Sequence, residues 1–249
     1  MAGTPFPSVV LDDFLPEETA AEVAGEFPDF HAPVWNEYSN AIEVKKSCNH
    51  WDKFPKATYK LFTFLNSTEF VSRVSALCGE QLFSDPGLHG GGWHSHGPGG
   101  KLNMHLDYSI HPKLGLERRI NLILYMQPAW KSEWGGALGF WEHDDKTNGP
   151  GRLVKEIPCL FNRAVLFDTS QNSWHGLPDP VACPPDRPRN SLAVYYLCEP
   201  RKAASNRGRA LFAPYREQAN DPKVLELIEK RSQVNTSAEV YRQNAATKK

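Results

Sequence analysis

His105 and Asp107 stand two positions apart in the run KLNMHLDYSI, and His175 comes well downstream, after RAVLFDT and the short segment SQNSW. Successive side chains of a strand point to opposite faces, so Asn103, His105 and Asp107 are expected on one face and Met104, Leu106 and Tyr108 on the other. An antiparallel return through RAVLFDT would bring His175 opposite that pair. Two imidazoles and one carboxylate can grip a single divalent ion and leave part of its coordination shell open. His-x-Asp alone is a frequent chance pattern and reads equally well as a surface histidine before a turn.

Arg189-x-Ser191 shifts that balance. It opens the β-rich run RNSLAVYYL shortly after His175, with both side chains on one face. A guanidinium fork binds a carboxylate through two parallel hydrogen bonds, and a neighbouring hydroxyl adds a third. Two histidines and a carboxylate are the facial triad of non-haem iron(II) oxygenases, and an anchored keto acid such as 2-oxoglutarate would take two of the open positions. The bland alternative for Arg189 is an exposed strand-edge ion pair contributing ~0–1 kcal/mol. Arg187 competes for the anchoring role, but it precedes Pro188 in the loop GLPDPVACPPDRP, where spacing sets no face.

The elements that must position these residues follow from periodicity. From about 82 to 200, short β-rich runs (KLNMHLDYSI, RRINLILYMQ, GGALGFWEH, GRLVKEI, RAVLFDT, RNSLAVYYL) alternate with Gly, Pro, Asn and Asp, the rhythm of an antiparallel barrel or jelly roll. Residues 1 to 80 read as mostly helical support, with Pro16 near one helix start, Ser67 or Thr68 as a cap and Gly79 as a stop. The stretch 201 to 249 reads as a supporting tail with one helix, capped by Asp221 with Pro222 at its first position, and about a dozen frayed polar residues at the end. The fold class is mainly β with flanking helices, in one domain spanning 1–249.

Composition narrows the function classes. Lys and Arg number 28 against 29 Asp and Glu, a formal charge of −1, so no overall basic field points to nucleic acid. No apolar run is long enough for a membrane span, and the N-terminus lacks the layout of a secretory signal, so a soluble, intracellular (cytoplasmic) protein without a membrane partner is expected. Five scattered cysteines form no C-x-x-C pair and read as free or buried thiols.

The motif HLD, the distal His175 and RNS together resemble the iron(II)/2-oxoglutarate-dependent oxygenase superfamily, in particular its prolyl 4-hydroxylase-like branch, over roughly residues 82 to 200. RRINLILYMQ followed by WGGALGFWEH is similar to the family's strand ending in a Tyr-Leu-Asn-type sequence and its following Gly-Gly strand. The resemblance implies a double-stranded β-helix (jelly-roll, cupin-like) core with Fe(II) on His105, Asp107 and His175, 2-oxoglutarate as co-substrate, O2 as oxidant and ascorbate as a candidate reductant. It implies hydroxylation of a substrate C–H bond with decarboxylation of 2-oxoglutarate to succinate and CO2. It also implies a co-substrate contact for Tyr125 and, with a cross-strand hydrogen bond as the equal alternative, for Asn121. Period two sets Arg119, Asn121, Ile123 and Tyr125 on one face. Relatives that halogenate lack the metal carboxylate, so Asp107 favours hydroxylation. The sequence departs from the family in its longer loop after His175 and in using arginine where many collagen-type relatives use lysine.

A peptidyl proline ranks first as substrate, with a free amino acid or small metabolite as the alternative. A non-catalytic metal-binding barrel and a zinc hydrolase or isomerase are the readings of other classes. His94-x-His96 in HGGGWHSHGPGG is similar to a cupin metal motif but lacks the following glutamate; pocket-rim loop is the expectation, with substrate contact as the alternative. Trp93, Tyr108, Trp130, Trp134, Trp141 and Trp174 are read mainly as core.

Overall fold

A computed structural model describes residues 4–169 and 171–233. In chain order the elements are β1 (Ser8–Leu11), α1 (Glu17–Gly25), β2 (Asn36–Ser39), β3 (Glu43–Cys48), α2 (Lys56–Leu65), α3 (Thr68–Cys78), β4 (Phe83–Ser84) and β5 (Gly92–His96). Then come β6 (Lys101–Leu102), β7 (His105–Leu106), β8 (Glu117–Tyr125), β9 (Leu138–Asp144) and β10 (Gly149–Ile157). The chain continues through β11 (Ala164–Asp168), β12 (His175–Gly176), β13 (Arg189–Cys198), β14 (Leu211–Phe212) and α4 (Pro222–Ser232).

Among the described residues the strands form two antiparallel sheets. The larger runs β1-β11-β8-β13-β5-β3-β2, with β4 beside β13 and β6 beside β3; the smaller runs β10-β9-β12-β7-β14. This is the jelly-roll arrangement expected, with helices on the outer face of the larger sheet. β13 is buried along all ten residues because both of its faces are covered. Leu192, Val194 and Tyr196 join Phe62, Leu65 and Val71 of the helices in one apolar cluster, whereas Arg189, Ser191, Ala193 and Tyr195 line a pocket between the sheets. A smaller cluster, including Phe140, Val165 and Phe167, closes the space between the sheets near His175.

Local chemistry sets the helix ends. Ser67 Oγ accepts a hydrogen bond from Phe70 N, and Gly79 ends α3 in the left-handed conformation that lacks a Cβ penalty. Asp221 caps α4 through Lys223 N, with Pro222 at the first helical position.

The mostly helical reading of residues 1 to 80 needs correction. Three helices are present, but β1, β2 and β3 come from the same segment and extend both edges of the larger sheet. Short edge strands carrying mixed polar residues give weak periodicity, so tertiary pairing decides them. The frayed ending expected for the last dozen residues lies outside the described residues.

Candidate metal and co-substrate site

β7 and β12 are two residues long, and their single register pair is His105 opposite His175. Gly176 permits the approach, since a Cβ there would sit 2.8 Å from the backbone oxygens of Leu102 and Asn103. Each imidazole is oriented by the backbone two residues before it. His105 Nδ1 lies 2.9 Å from Asn103 O and His175 Nδ1 lies 2.8 Å from Ser173 O. Carbonyls only accept, so both Nδ1 atoms carry the proton and both Nε2 lone pairs are free for a metal.

Those Nε2 atoms face Asp107, at 3.9 Å to Oδ1 for His105 and 3.7 Å to Oδ2 for His175. One ligand atom from each of the three residues lies within 4.8 Å of the others. An ion with ligand bonds of ~2.0–2.2 Å bridges such separations with little movement. Phe212 stacks on His105 at 5.1 Å and Phe167 meets His175 edge-on at 4.7 Å, which fixes the rings. Asn103 departs from the expected alternation: its amide donates to Ala213 O and to Gln218 Oε1, away from the site.

The electrostatics keep the ligands in metal-binding protonation states. Burial alone would raise the Asp107 pKa, but the Arg118 guanidinium, the two imidazoles and the Asn121 amide override it and hold the carboxyl at about 2. Burial, reinforced by His175, depresses His105 to about 3, and burial also lowers His175. An ionised carboxylate and two neutral imidazoles are the set a divalent ion requires.

Arg118 was not singled out by the sequence reading. It is 2% exposed, its Nη1 is 3.1 Å from Asp107 Oδ1, its Nη2 donates to His89 O at 2.8 Å, and it is sandwiched between the rings of Tyr108 and Tyr195. Strict alternation puts Arg119 on this face instead. A β-bulge on β8, between the pairs Tyr196–Ile120 and Leu197–Arg118, inserts one residue and swaps the two arginines. Arg119 points elsewhere, to Glu80 at 2.6 Å and to Asp168.

Asn121 and Ile123 do line the pocket. The Asn121 amide donates to Asp107 Oδ2 at 3.3 Å, so the structure places it on the metal carboxylate. The amide thus orients Asp107, while its Oδ1 is buried with no hydrogen-bond partner among the described residues.

Arg189 and Ser191 lie on the wall opposite the triad, on β13. Arg189 is 3% exposed; its Nε donates to Gly136 O at 2.7 Å, and its guanidinium lies 4.9 Å from the Tyr125 ring. A Cβ at residue 136 would approach Arg189 Cδ to 2.9 Å, which explains the glycine of WGGALGFWEH. No carboxylate among the described residues pairs with Arg189. A buried guanidinium without an anion is costly by several kcal/mol, and the distal carboxylate of 2-oxoglutarate supplies the missing charge. The Tyr125 hydroxyl, buried beside it, has no hydrogen-bond partner. Arg187 is half exposed and lies beside Asp186 at the surface, which removes it as the competing anchor.

Two expectations about other segments change. HGGGWHSHGPGG is not a loop throughout: its middle, Gly92–His96, forms β5, paired with β13 on one side and β3 on the other. His94 and His96 therefore both line the pocket, and neither joins the metal-ligating cluster. The tail after residue 200 does more than support the barrel. Arg207 donates to Asp107 O and Gln171 Oε1, Gly208 to Ala210 line the pocket, and Phe212 of β14 covers His105. Of the aromatics read as core, Trp93, Trp141 and Trp174 are core, whereas Tyr108 lines the pocket.

Comparison with known proteins agrees with this geometry. Residues 91–197 match the family model of the 2OG-Fe(II) oxygenase superfamily. Prolyl 3-hydroxylase OGFOD1 of Mus musculus is 36% identical over 58 residues, and that of Xenopus laevis 41% over 59 residues. These matches span 23% of this chain but only 10% and 11% of the relatives' own length.

Among solved structures, a Pseudomonas putida prolyl-4-hydroxylase aligns with a TM-score of 0.57 and 16% identity, covering 78% of this chain and 94% of that one. A Trichoplax adhaerens prolyl hydroxylase aligns at 0.55 and 16% identity, over 76% and 83%. HygX from Streptomyces hygroscopicus, solved with nickel, 2-oxoglutarate and hygromycin B, aligns at 0.52 and 11% identity, over 79% and 86%. These neighbours establish the fold. Residues 91–197 are thus similar in sequence to the 2OG-Fe(II) oxygenase superfamily, and the fold they share with these neighbours is the jelly roll.

Proposed function

We propose that the protein is an iron(II)- and 2-oxoglutarate-dependent hydroxylase whose substrate carries a proline ring. The observation that carries the reading is the pairing, in one pocket of about 310 Å³, of an open His105–Asp107–His175 triad with the buried Arg189, which has no carboxylate partner among the described residues. The short matches to prolyl 3-hydroxylases support the prolyl assignment.

Bound iron(II) would supply the redox chemistry and the coordination sites at which the keto acid and O2 meet. The overall reaction balances as substrate C–H, O2 and 2-oxoglutarate giving substrate C–OH, succinate and CO2. The protein's own groups bind and orient. His105, Asp107 and His175 present three donors on one side of the ion. Arg189, with Ser191 and the unpartnered Tyr125 hydroxyl beside it, receives the distal carboxylate and so aims the keto-acid end at the metal. Arg118 and Asn121 hold Asp107 ionised and in place. The rings of Phe212 and Phe167 pack against the two imidazoles and hold them in place.

The test is succinate release by protein supplied with Fe(II), 2-oxoglutarate and air, with and without proline-containing peptides, beside the His175→Ala variant. Iron-dependent succinate that disappears in His175→Ala and rises with peptide is the expected result. No succinate under any condition would replace this reading with a non-catalytic metal barrel or a zinc enzyme.

A further inference from the structure

The pocket carries more positive charge than its metal and co-substrate use. Among the described residues its charged lining consists of two carboxylates, Glu43 and Asp107, and five cations, Lys45, Arg118, Arg189, Arg209 and Arg231. Arg118 belongs to Asp107, and Arg231 lies 3.3 Å from Glu43. Lys45, Arg189 and Arg209 remain. A divalent ion and dianionic 2-oxoglutarate cancel each other, so loading the site leaves that excess in place. Arg189 is committed to the co-substrate, which leaves Lys45 and Arg209 for a different anion.

Lys45 is placed for such a role by sheet register. β3 pairs with β5 through Ser47–His94 and Lys46–Ser95, and one further step along this register sets Lys45 across from His96. On its other side His96 pairs with Arg189. The larger sheet thus presents Lys45, His96 and Arg189 as a row across its pocket face. His96 is 3% exposed, and neither of its ring nitrogens has a hydrogen-bond partner among the described residues. A buried imidazole flanked by two cations, with both nitrogens unmatched, is a polar wall missing its ligand. Burial, together with Arg189 and Lys45, depresses its pKa far below the usual value, so it faces that ligand neutral, with one donor and one acceptor.

Lys45 reaches Glu43 Oε2 at 3.4 Å, but Glu43 is shared with Arg231 and leaves the ammonium only partly matched. Arg209, from the segment that closes over Asp107, forms no ion pair among the described residues, and its Nε is buried without a hydrogen-bond partner. Both cations lie outside the segment that matches the family model, which begins at residue 91 and ends at 197. They are features of this chain beyond the shared core.

We infer that the substrate carries a carboxylate close to the carbon that is hydroxylated, and that Lys45 and Arg209 receive it. This rests on the hydroxylase reading above and narrows its substrate class to acidic proline compounds. The carboxylate belongs either to proline itself as a free acid or to an acidic residue beside a peptidyl proline.

Two matched probe pairs separate these sources: L-proline against L-prolinamide, and acetyl-Pro-Asp-amide against acetyl-Pro-Asn-amide. Binding is read calorimetrically on full-length protein loaded with Ni(II) and 2-oxoglutarate, and succinate release is read in parallel on the iron-loaded protein. In at least one pair the carboxylate form should bind ~10-fold or more tightly than its amide, and Lys45→Met should erase that preference while Lys45→Arg restores it. Arg209→Gln should reduce it in part. The affinity for 2-oxoglutarate, measured on the same samples, should stay within about twofold. Equal binding of acid and amide in both pairs, no binding by any probe, or a Lys45→Met loss that falls on 2-oxoglutarate instead would overturn the inference. Failure of the hydroxylase reading is a separate result, seen as no binding of 2-oxoglutarate to the metal-loaded protein and no succinate.

Discussion

The two walls of the pocket are built on different principles. The metal wall stands on β7 and β12, strands of two residues each, and its geometry is enforced locally: each histidine is oriented by a carbonyl two residues back. The co-substrate wall stands on β13 and β8, strands of ten and nine residues, held by long ladders and by helices packed behind them. Local enforcement makes the first wall a compact motif. Extended pairing makes the second depend on register, where a single bulge exchanges Arg118 for Arg119.

Substitutions can test that contrast. On the metal wall, His105→Ala should abolish tight iron binding, seen by calorimetry, while circular dichroism still reports a folded protein. On the opposite wall, Arg189→Ala should leave metal affinity intact and raise the 2-oxoglutarate Kd by ~30-fold or more, the loss of about 2 kcal/mol or more expected for one side of a buried charge pair. A Kd unchanged by that substitution would remove Arg189 as the anchor.

The bulge offers a narrower comparison between neighbours in sequence. Arg118→Met should weaken metal binding by ~10–100-fold, because Asp107 loses the charge that holds it ionised and oriented. Arg119→Met should leave metal affinity alone and cost ~3 kcal/mol of stability, since it strands the buried carboxylate of Asp168 as well as the half-buried Glu80. The reverse pattern would refute the register.

The remaining comparison is between folded and unfolded histidines as pH falls. His94 and His105 are depressed to about 3, mainly by burial, and His96 and His175 are also lowered. The unfolded chain takes up protons below about pH 6.5 that these folded residues refuse, so stability present above that pH is lost as pH falls toward 3. The Tm of metal-free protein should therefore fall steadily from pH 6.5 to 4. A flat profile would mean that these imidazoles are hydrated or already paired.

Much of the candidate site was legible because its key spacings are short and chemical. His105-x-Asp107 and Arg189-x-Ser191 each span one strand step, and His175 follows the apolar strand RAVLFDT and the short segment SQNSW. The pocket placement of His94 and His96 was legible, but the strand that carries them was not, because glycines on both sides gave that stretch the composition of a loop. β5 exists because β3 and β13 pair with it from either side. β3 in turn was hidden in a region read as helical.

The sequence by itself determined the candidate donor set, the candidate anchoring arginine, the jelly-roll rhythm and the helix ends, since these follow from residue type and from periodicity within a few positions. The tertiary structure alone decided which of two adjacent arginines supports Asp107, that Asn121 serves the metal carboxylate, and that Lys45 and the segment 207–212 reach the same pocket. Those assignments depend on strand register and on contacts between residues far apart in the chain. A one-residue slip reverses every side chain on a strand, and no local pattern records where such a slip occurs.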